Sequence, residues 1–451
     1  MDQTPDRRGL GLLCARNLRR MMEIKQRMST RFAWLLGAVV VVAIGALVAC
    51  GTTYSSSSDG LVIIGSQGSA VIQTFSFSLS NGHIAGISNP PTTPGLPLSI
   101  VLDPAGSYAY TIVASSDTVP SSSTGIQAYK VNSDGTMTAA GGVMADPNPV
   151  ALAMDAAGKF LFVAEGLDSL PLLPQSNPCP GTTTQFAVCV YSISAGSLTP
   201  VPGVFTFTPP TGFQTPNIAA LAATPTVFPS IGLNGQQNSV CSGAGNNPPT
   251  TEYLYAADSV NNVVYEFVVD TSAGTLSTPP NPGFFPAGSV PSGVAVDPCA
   301  RFAYVSNSKS NNVSAYTICN GLTDTSACQG LFDGSLIPVK GSPFSLTSGA
   351  NGPGPMVVDP FGNFLYVVDT LSNMVSPFKI APVSGALTSQ SVVSTGLQPM
   401  SIAIRADDNW LFVTNFNSAT LSQYAITPAT GTLSPLPAIQ TDNYPWGVAV
   451  K

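Results

Sequence analysis

Histidine and positive charge are what this sequence has least of. Its 451 residues hold a single histidine, His83, and charged residues make up only 9%, far below the usual quarter. One histidine excludes a histidine-rich metal cluster, and it leaves a serine–histidine pair only if His83 itself serves. Of the 16 Lys and Arg, eight lie before residue 50, against three of the 23 Asp and Glu, so residues from 51 onward carry 8 − 20 = −12. That balance offers no basic groove for nucleic acid. The expected partners are neutral, or cations held by carboxylates. Long helices are missing too, because 42 Gly and 40 Pro punctuate the chain with turns. What is plentiful is apolar residue: 44% of the chain, enough for a large core. After residue 60 it alternates with Ser and Thr in the pattern of strands.

The first fifty residues read as an address. An uncharged apolar run from Phe32 to Ala49 follows Arg31 and ends at Leu47-Val48-Ala49-Cys50-Gly51. This resembles a bacterial lipoprotein signal with its lipobox. The resemblance implies cleavage before Cys50 and lipidation of Cys50, with the Ser-rich stretch 50–60 as a flexible tether. An uncleaved membrane helix is the other reading, since 18 residues are near the lower limit for spanning. Residues 1–49 are therefore assigned as the signal region, with Met28 a candidate true start. The expected location is the cell envelope, on the outer membrane or the periplasmic face rather than in the cytoplasm. Export to an oxidising compartment makes disulfides of Cys179, Cys189, Cys241, Cys299, Cys319 and Cys328.

From residue 61 to 451 one phrase recurs. Pro97, Pro149, Pro216, Pro291, Pro353, Pro399 and Pro445 each open a short apolar run with small residues. A turn follows, as in DPAG at 103, DAAG at 155 and DPFG at 359. A second strand comes next (YAYTIV, FLFVAE, YLYAAD, FAYVSN, FLYVVD, WLFVTN), then a third, a glycine turn and a fourth. Four short antiparallel strands repeated at intervals of 46 to 75 residues describe propeller blades. The chain ends on a lone first strand, Pro445 to Lys451, and its repeats begin at Leu61 with a second. Joined, the two ends complete one blade. The fold predicted is an all-β, seven-bladed β-propeller of four-stranded blades, a monomer closed by its own termini.

The phrase resembles the YVTN-type repeats and the seven-bladed propellers of the lactonase family, as does PVKGSPFS from Pro338 to Ser345. The resemblance implies a 6-phosphogluconolactonase-type hydrolase acting on a sugar lactone or related ester. Placed on blades, Cys319 and Cys328 flank one insertion and Cys179 and Cys189 another. Cys241, in a long insertion, lies on the same face as Cys299, so that a 241–299 bridge would pin the insertion.

The chemistry is harder to place. His83 stands in a third-to-fourth-strand turn, away from the face where the family's chemistry is expected. Arg301 and Arg405, the two arginines after residue 50, follow or occupy first turns on that same far face, and Arg405 is expected to pair with turn carboxylates. Ser66, Glu165, Asp258, Asn307, Asp369 and Asn415 end the second strands, with Val113 at the matching place in blade 1. Facing the axis, they would form a polar ligand ring, able to hold a divalent cation such as Ca or Mg. Glu165, Asp258 and Asp369 are its acid–base candidates; turned into the loops, the same residues would hydrogen-bond backbone amides instead. Phe205, Phe207, Phe213, Phe284 and Phe285 either wall a pocket or cover a blade edge. The reading that follows is a lipid-anchored binding or scaffold module for a polar ligand or envelope protein, with no cofactor required. The alternative is the lactonase-like hydrolase.

Overall fold

The computed structural model describes residues 60–115, 124–146, 148–166, 187–202, 205–206, 211–225, 251–279, 283–320, 328, 331 and 333–451. The signal region, Cys50, nearly all of the tether, Cys179, Phe207 and Cys241 lie outside these residues. Seven antiparallel sheets follow one another along the chain. Within a blade the strands are named a to d from the axis outward. The a strands of blades 1 to 7 are Leu96–Leu102, Pro149–Met154, Ile218–Ala223, Pro291–Val296, Pro353–Val358, Pro399–Ile404 and Pro445–Val450. Each touches the a strand of the next blade, and the seventh touches the first, so the sheets form a ring.

Closure is as the sequence predicts. In blade 7, Pro445–Val450 pairs with Gly60–Ser66, followed outward by Val71–Phe77 and Ile84–Gly86. Val62 lies opposite Val450 and Ile64 opposite Val448. Backbone bonds between Leu61 and Lys451 extend the zipper in both directions. One refinement concerns the outer strand. In blades 1 to 6 it is split into two short pieces that both pair with strand c. In blade 4, Leu336–Pro338 pairs with one end of Asn312–Ile318 and Phe344–Ser345 with the other. A broken edge strand offers little continuous backbone to a foreign chain.

The repeated residues have distinct structural work. In blades 1, 4 and 5 the Asp that follows the a strand accepts the backbone N–H groups four and five residues on. Asp103 binds Ser107 and Tyr108, Asp297 binds Arg301 and Phe302, and Asp359 binds Asn363 and Phe364. The aromatic residue that opens strand b packs on the glycine of the next blade's c–d turn. A Cβ on Gly385 would collide with Phe302, and one on Gly431 with Phe364. Both glycines also have positive φ, a conformation side chains disfavour. Two residues further on, a buried tyrosine reaches the same turn. Tyr255, Tyr304 and Tyr366 donate to the carbonyls of Gly334, Gly385 and Gly431. The core itself lies between neighbouring sheets. Phe364, Tyr366, Val368 and Val375 of blade 5 meet Leu411, Val413, Tyr424 and Ile426 of blade 6.

A further lock was not read from the sequence. The side-chain oxygen of an asparagine at the end of the b–c connection accepts a backbone N–H from the entry to the next blade. Asn262, Asn311 and Asn373 receive the N–H groups of Val290, Gly352 and Gln398, each just before an opening proline. Val290 and Gln398 have positive φ in a position where proline already restricts its neighbour. The asparagine bond holds that unfavourable backbone in place.

Candidate functional site

The face carrying the b–c and d–a connections is where the second strands end. Ser66, Glu165, Asp258, Asn307, Asp369 and Asn415 all lie there, and all are buried. Their side chains are engaged within their own blades. Asn307 accepts from Gly288 N–H and donates to Asn312 and Ser314; Asn415 accepts from Gly396 and donates to Thr420 and Ser422. Asp258 takes the N–H groups of Asn217 and Val260 on one oxygen and the side chain of Asn261 on the other. Ser66 donates to Gln73 Oε1 at 3.0 Å. These residues tie the start of strand c and the entry to strand a to the end of strand b, which is the loop-bonding role open to them in the sequence. Val113 is buried and apolar at the equivalent place.

Two of the carboxylates keep chemical capacity. Asp369 accepts from Ser376 Oγ at 2.6 Å through Oδ2, while Oδ1 is buried without a partner. Burial pushes its carboxyl up to about 7, against the bond from Ser376. Glu165 takes Asn148 N–H on Oε2 at 3.2 Å and stands beside a carboxyl the sequence reading missed, Asp146, with an oxygen of each within 4.8 Å of the other. Asp146 sits in the connection entering blade 2 and receives the Tyr191 hydroxyl at 2.6 Å; its exposure is 1% and that of Glu165 is 3%. Burial raises the Asp146 carboxyl, opposed by the neighbouring Glu165 and Tyr191. Two buried carboxyl groups this close disfavour a double negative charge, an arrangement that lets one serve as acid and the other as base. The sequence signal was the acid of ADPNPV three residues before Pro149, a place that Asp442 also holds before Pro445.

Cys189 Sγ lies 3.7 Å from Glu165 Oε1 and completes a cluster with Asp146. It is disulfide-bonded, so it has neither a thiol proton to donate nor a thiolate to offer a metal. Cys299 is also disulfide-bonded, and Cys319–Cys328 is a bridge with Cα atoms 5.5 Å apart. The expected partners Cys179 and Cys241 are outside the described residues.

The remaining candidates are structural in placement. His83 is exposed in the c–d turn of blade 7. Arg301 is buried against Asp297, and Arg405 pairs with Asp407, both on the opposite face. Phe213 and Phe284 stack edge to face at 5.1 Å and cover the core of blades 2 and 3; Phe285 is buried between blades 3 and 4. Phe205 lies in a two-residue strand paired with strand c of blade 2.

Around the b–c face the apolar side chains gather at blades 5 to 7. Phe416 packs on Tyr444 at 4.9 Å and on Trp446 at 5.5 Å, and Leu371, Leu397 and Tyr444 are exposed. Among the described residues of the connections on this face, Lys309 is the sole cation.

Comparison with known proteins agrees with this architecture. No curated relative matches the sequence. Among solved structures, a periplasmic gluconolactonase from Pseudomonas aeruginosa superposes with a TM-score of 0.64 at 20% identity, over 87% of this chain and 99% of that one. A provisionally assigned 6-phosphogluconolactonase from Bacteroides fragilis gives 0.65 at 19%, over 89% and 100%. A protein from Lactobacillus plantarum gives 0.64 at 18%, over 87% and 99%. At these identities the likeness is one of fold. Residues 244–449 match the family described as Lactonase, 7-bladed beta-propeller, and it is to that family that blade 3 from its strand b, blades 4 to 6 and strand a of blade 7 are similar in sequence.

Proposed function

We propose that the protein is a lactonase-like hydrolase that opens an uncharged sugar lactone or a related ester. The observation that carries this reading is the pair of buried carboxyls on the b–c face, Asp146 and Glu165, with oxygens within 4.8 Å of each other. In the ring-opening step the ionised carboxylate takes a proton from water as it adds to the lactone carbonyl. The protonated partner gives its proton to the ring oxygen as the C–O bond breaks, leaving a hydroxy acid. The family likeness of residues 244–449 supports the reaction class. Charge supports the choice of substrate: a phosphorylated lactone needs cationic partners, and this face offers Lys309 alone among its described connections.

The test is hydrolysis of glucono-δ-lactone, followed by acid release. Glu165→Gln and Asp146→Asn are each expected to lower kcat by about 10²-fold or more, with the thermal midpoint retained. The 6-phosphorylated lactone is expected to be the poorer substrate. A parent protein no faster than buffer, or variants with unchanged kcat, would sink the proposal.

A second reading, a binding module lipid-anchored through Cys50 in the cell envelope, is favoured by the exposed Leu371, Leu397 and Tyr444 beside Phe416 and Trp446. The same assay separates the two, because the module predicts no turnover.

A further inference from the structure

On the face opposite the Asp146–Glu165 pair, the a–b turns of neighbouring blades meet at seams. The seam between blades 4 and 5 is electrically balanced. Asp297 binds the Arg301 guanidinium through Nε at 2.8 Å and Nη2 at 2.7 Å. Arg301 Nη1 donates to the Pro382 carbonyl of blade 5. The blade 5 turn makes room for this cation with Gly362, where a Cβ would stand 2.7 Å from Arg301 Nη2. The seam between blades 7 and 1 also holds a cation, since Lys451 Nζ donates to Gly106 O at 3.0 Å and its chain packs over that glycine.

The seam between blades 5 and 6 breaks the pattern twice. Asp359 corresponds to Asp297, but the residue four positions on is Asn363 instead of arginine. Where the other turn has Gly362, blade 6 has Asp408. The equivalence is set by the backbone: Gly362 N–H bonds Asp359 O, and Asp408 N–H bonds Arg405 O. Asp408 keeps the glycine-like φ of 55°, an uncommon conformation for aspartate. It is fully buried, and neither of its carboxyl oxygens has a partner. At the equivalent Gly362 a Cβ would stand 3.2 Å from Asp297 Oδ2, so the same backbone places the Asp408 side chain against Asp359, also fully buried, whose Oδ2 has only a long bond from Phe361 N–H at 3.4 Å. The other ionisable groups nearby are engaged: Asp407 pairs with Arg405, and the Tyr366 hydroxyl donates to Gly431 O. This seam has one cation fewer and one carboxyl more than the seam between blades 4 and 5. Leaving both carboxyls bare in the interior is costly.

We propose that the seam between blades 5 and 6 is a cation site, in which Asp408 and Asp359 hold a hard divalent ion in the role Arg301 plays one seam earlier. Oxygen-only donors select Ca²⁺ or Mg²⁺ over softer metals. Calcium is the better match, because it accepts irregular sets of carboxylate and carbonyl oxygens, whereas magnesium demands a regular octahedron. The ion pins two blades together; it is distant in role from the lactone chemistry and does not depend on that activity.

The test is calcium titration of the EDTA-treated protein by calorimetry, with thermal melts in EDTA and in CaCl₂. Asp408→Gly introduces the residue that blades 1, 2 and 5 have here, Gly106, Gly158 and Gly362, so that variant is expected to fold. The parent should bind calcium with a saturable isotherm and a raised Tm, and magnesium more weakly. Asp408→Gly should lose both the isotherm and the Tm rise, while melting in EDTA at or above the parent. A calcium response that persists in Asp408→Gly overturns the proposal by placing the ion elsewhere. No response in the parent also overturns it, and a Tm that answers to pH but not to calcium assigns the pair to a shared proton.

Discussion

Glu266 illustrates how a single residue can be written plainly in the sequence yet carry a consequence visible only in the fold. In VVYEFV it occupies an ordinary strand c position, but it is fully buried, and both its oxygens lack partners. Burial, with the charge of Asp333 adding to it, pushes its carboxyl from 4.5 up to about 8. The folded state therefore holds a proton that the unfolded chain releases between those two values. Its contribution to stability is fully present below about pH 4.5 and is lost as pH rises to about 8, at up to ~1.4 kcal/mol per pH unit. Glu266→Gln stays neutral throughout. The difference in Tm, variant minus parent, should grow from pH 5 to pH 8 and then level off in thermal melts across that range. Parallel profiles would refute the assignment. Asp146 is another residue of this kind. Its place before Pro149 was legible, but its neighbour Glu165 lies 19 residues away, and the two come within 4.8 Å only because blade 2 folds back on itself.

The element that matters most is the c–d turn. Its glycine was visible in SAGTL, FDGSL, VSGAL and ATGTL as a turn former. The structure adds a second constraint, the aromatic ring of the preceding blade lying against it. Gly431→Ala must place a Cβ into Phe364 and hold φ at 69°. It is expected to destabilise by roughly 1–3 kcal/mol, read from urea unfolding. An alanine on the open side of the same chain, at Gly141, where nothing lies within 4 Å of the added Cβ, isolates the φ penalty. Equal losses at the two sites would remove the packing argument. The split outer strand was not legible, because a two-residue segment such as Phe344–Ser345 has no periodicity to read.

For the whole molecule, the zipper between Pro445–Val450 and Gly60–Ser66 decides whether seven sheets form one cooperative body. These strands are separated by almost the entire described chain, so their pairing is the costliest contact to close. Deleting residues 445–451 would leave the Val62–Ser66 edge open and uncover Ile63 and Ile64, which are fully buried in the closed ring. The shortened protein should lose its single sharp melting transition and associate, as followed by calorimetry and size-exclusion chromatography. A monomer that melts at the parent's temperature would show that closure contributes little.

The sequence by itself determined the blade count, the strand order and the shared blade, because these rest on local periodicity and on how the repeat is cut at its two ends. It also placed the Cys319–Cys328 bridge, which spans a short insertion. Tertiary structure alone decided what the polar residues do. Asp258, Asn307 and Asn415 look like ligands in one dimension and prove to be loop anchors. Asp146 and Asp408 look like turn residues and become buried carboxyls facing Glu165 and Asp359. The reason is physical. Period and turn chemistry are properties of neighbours in the chain, whereas burial and charge pairing are set by which blade comes to lie against which.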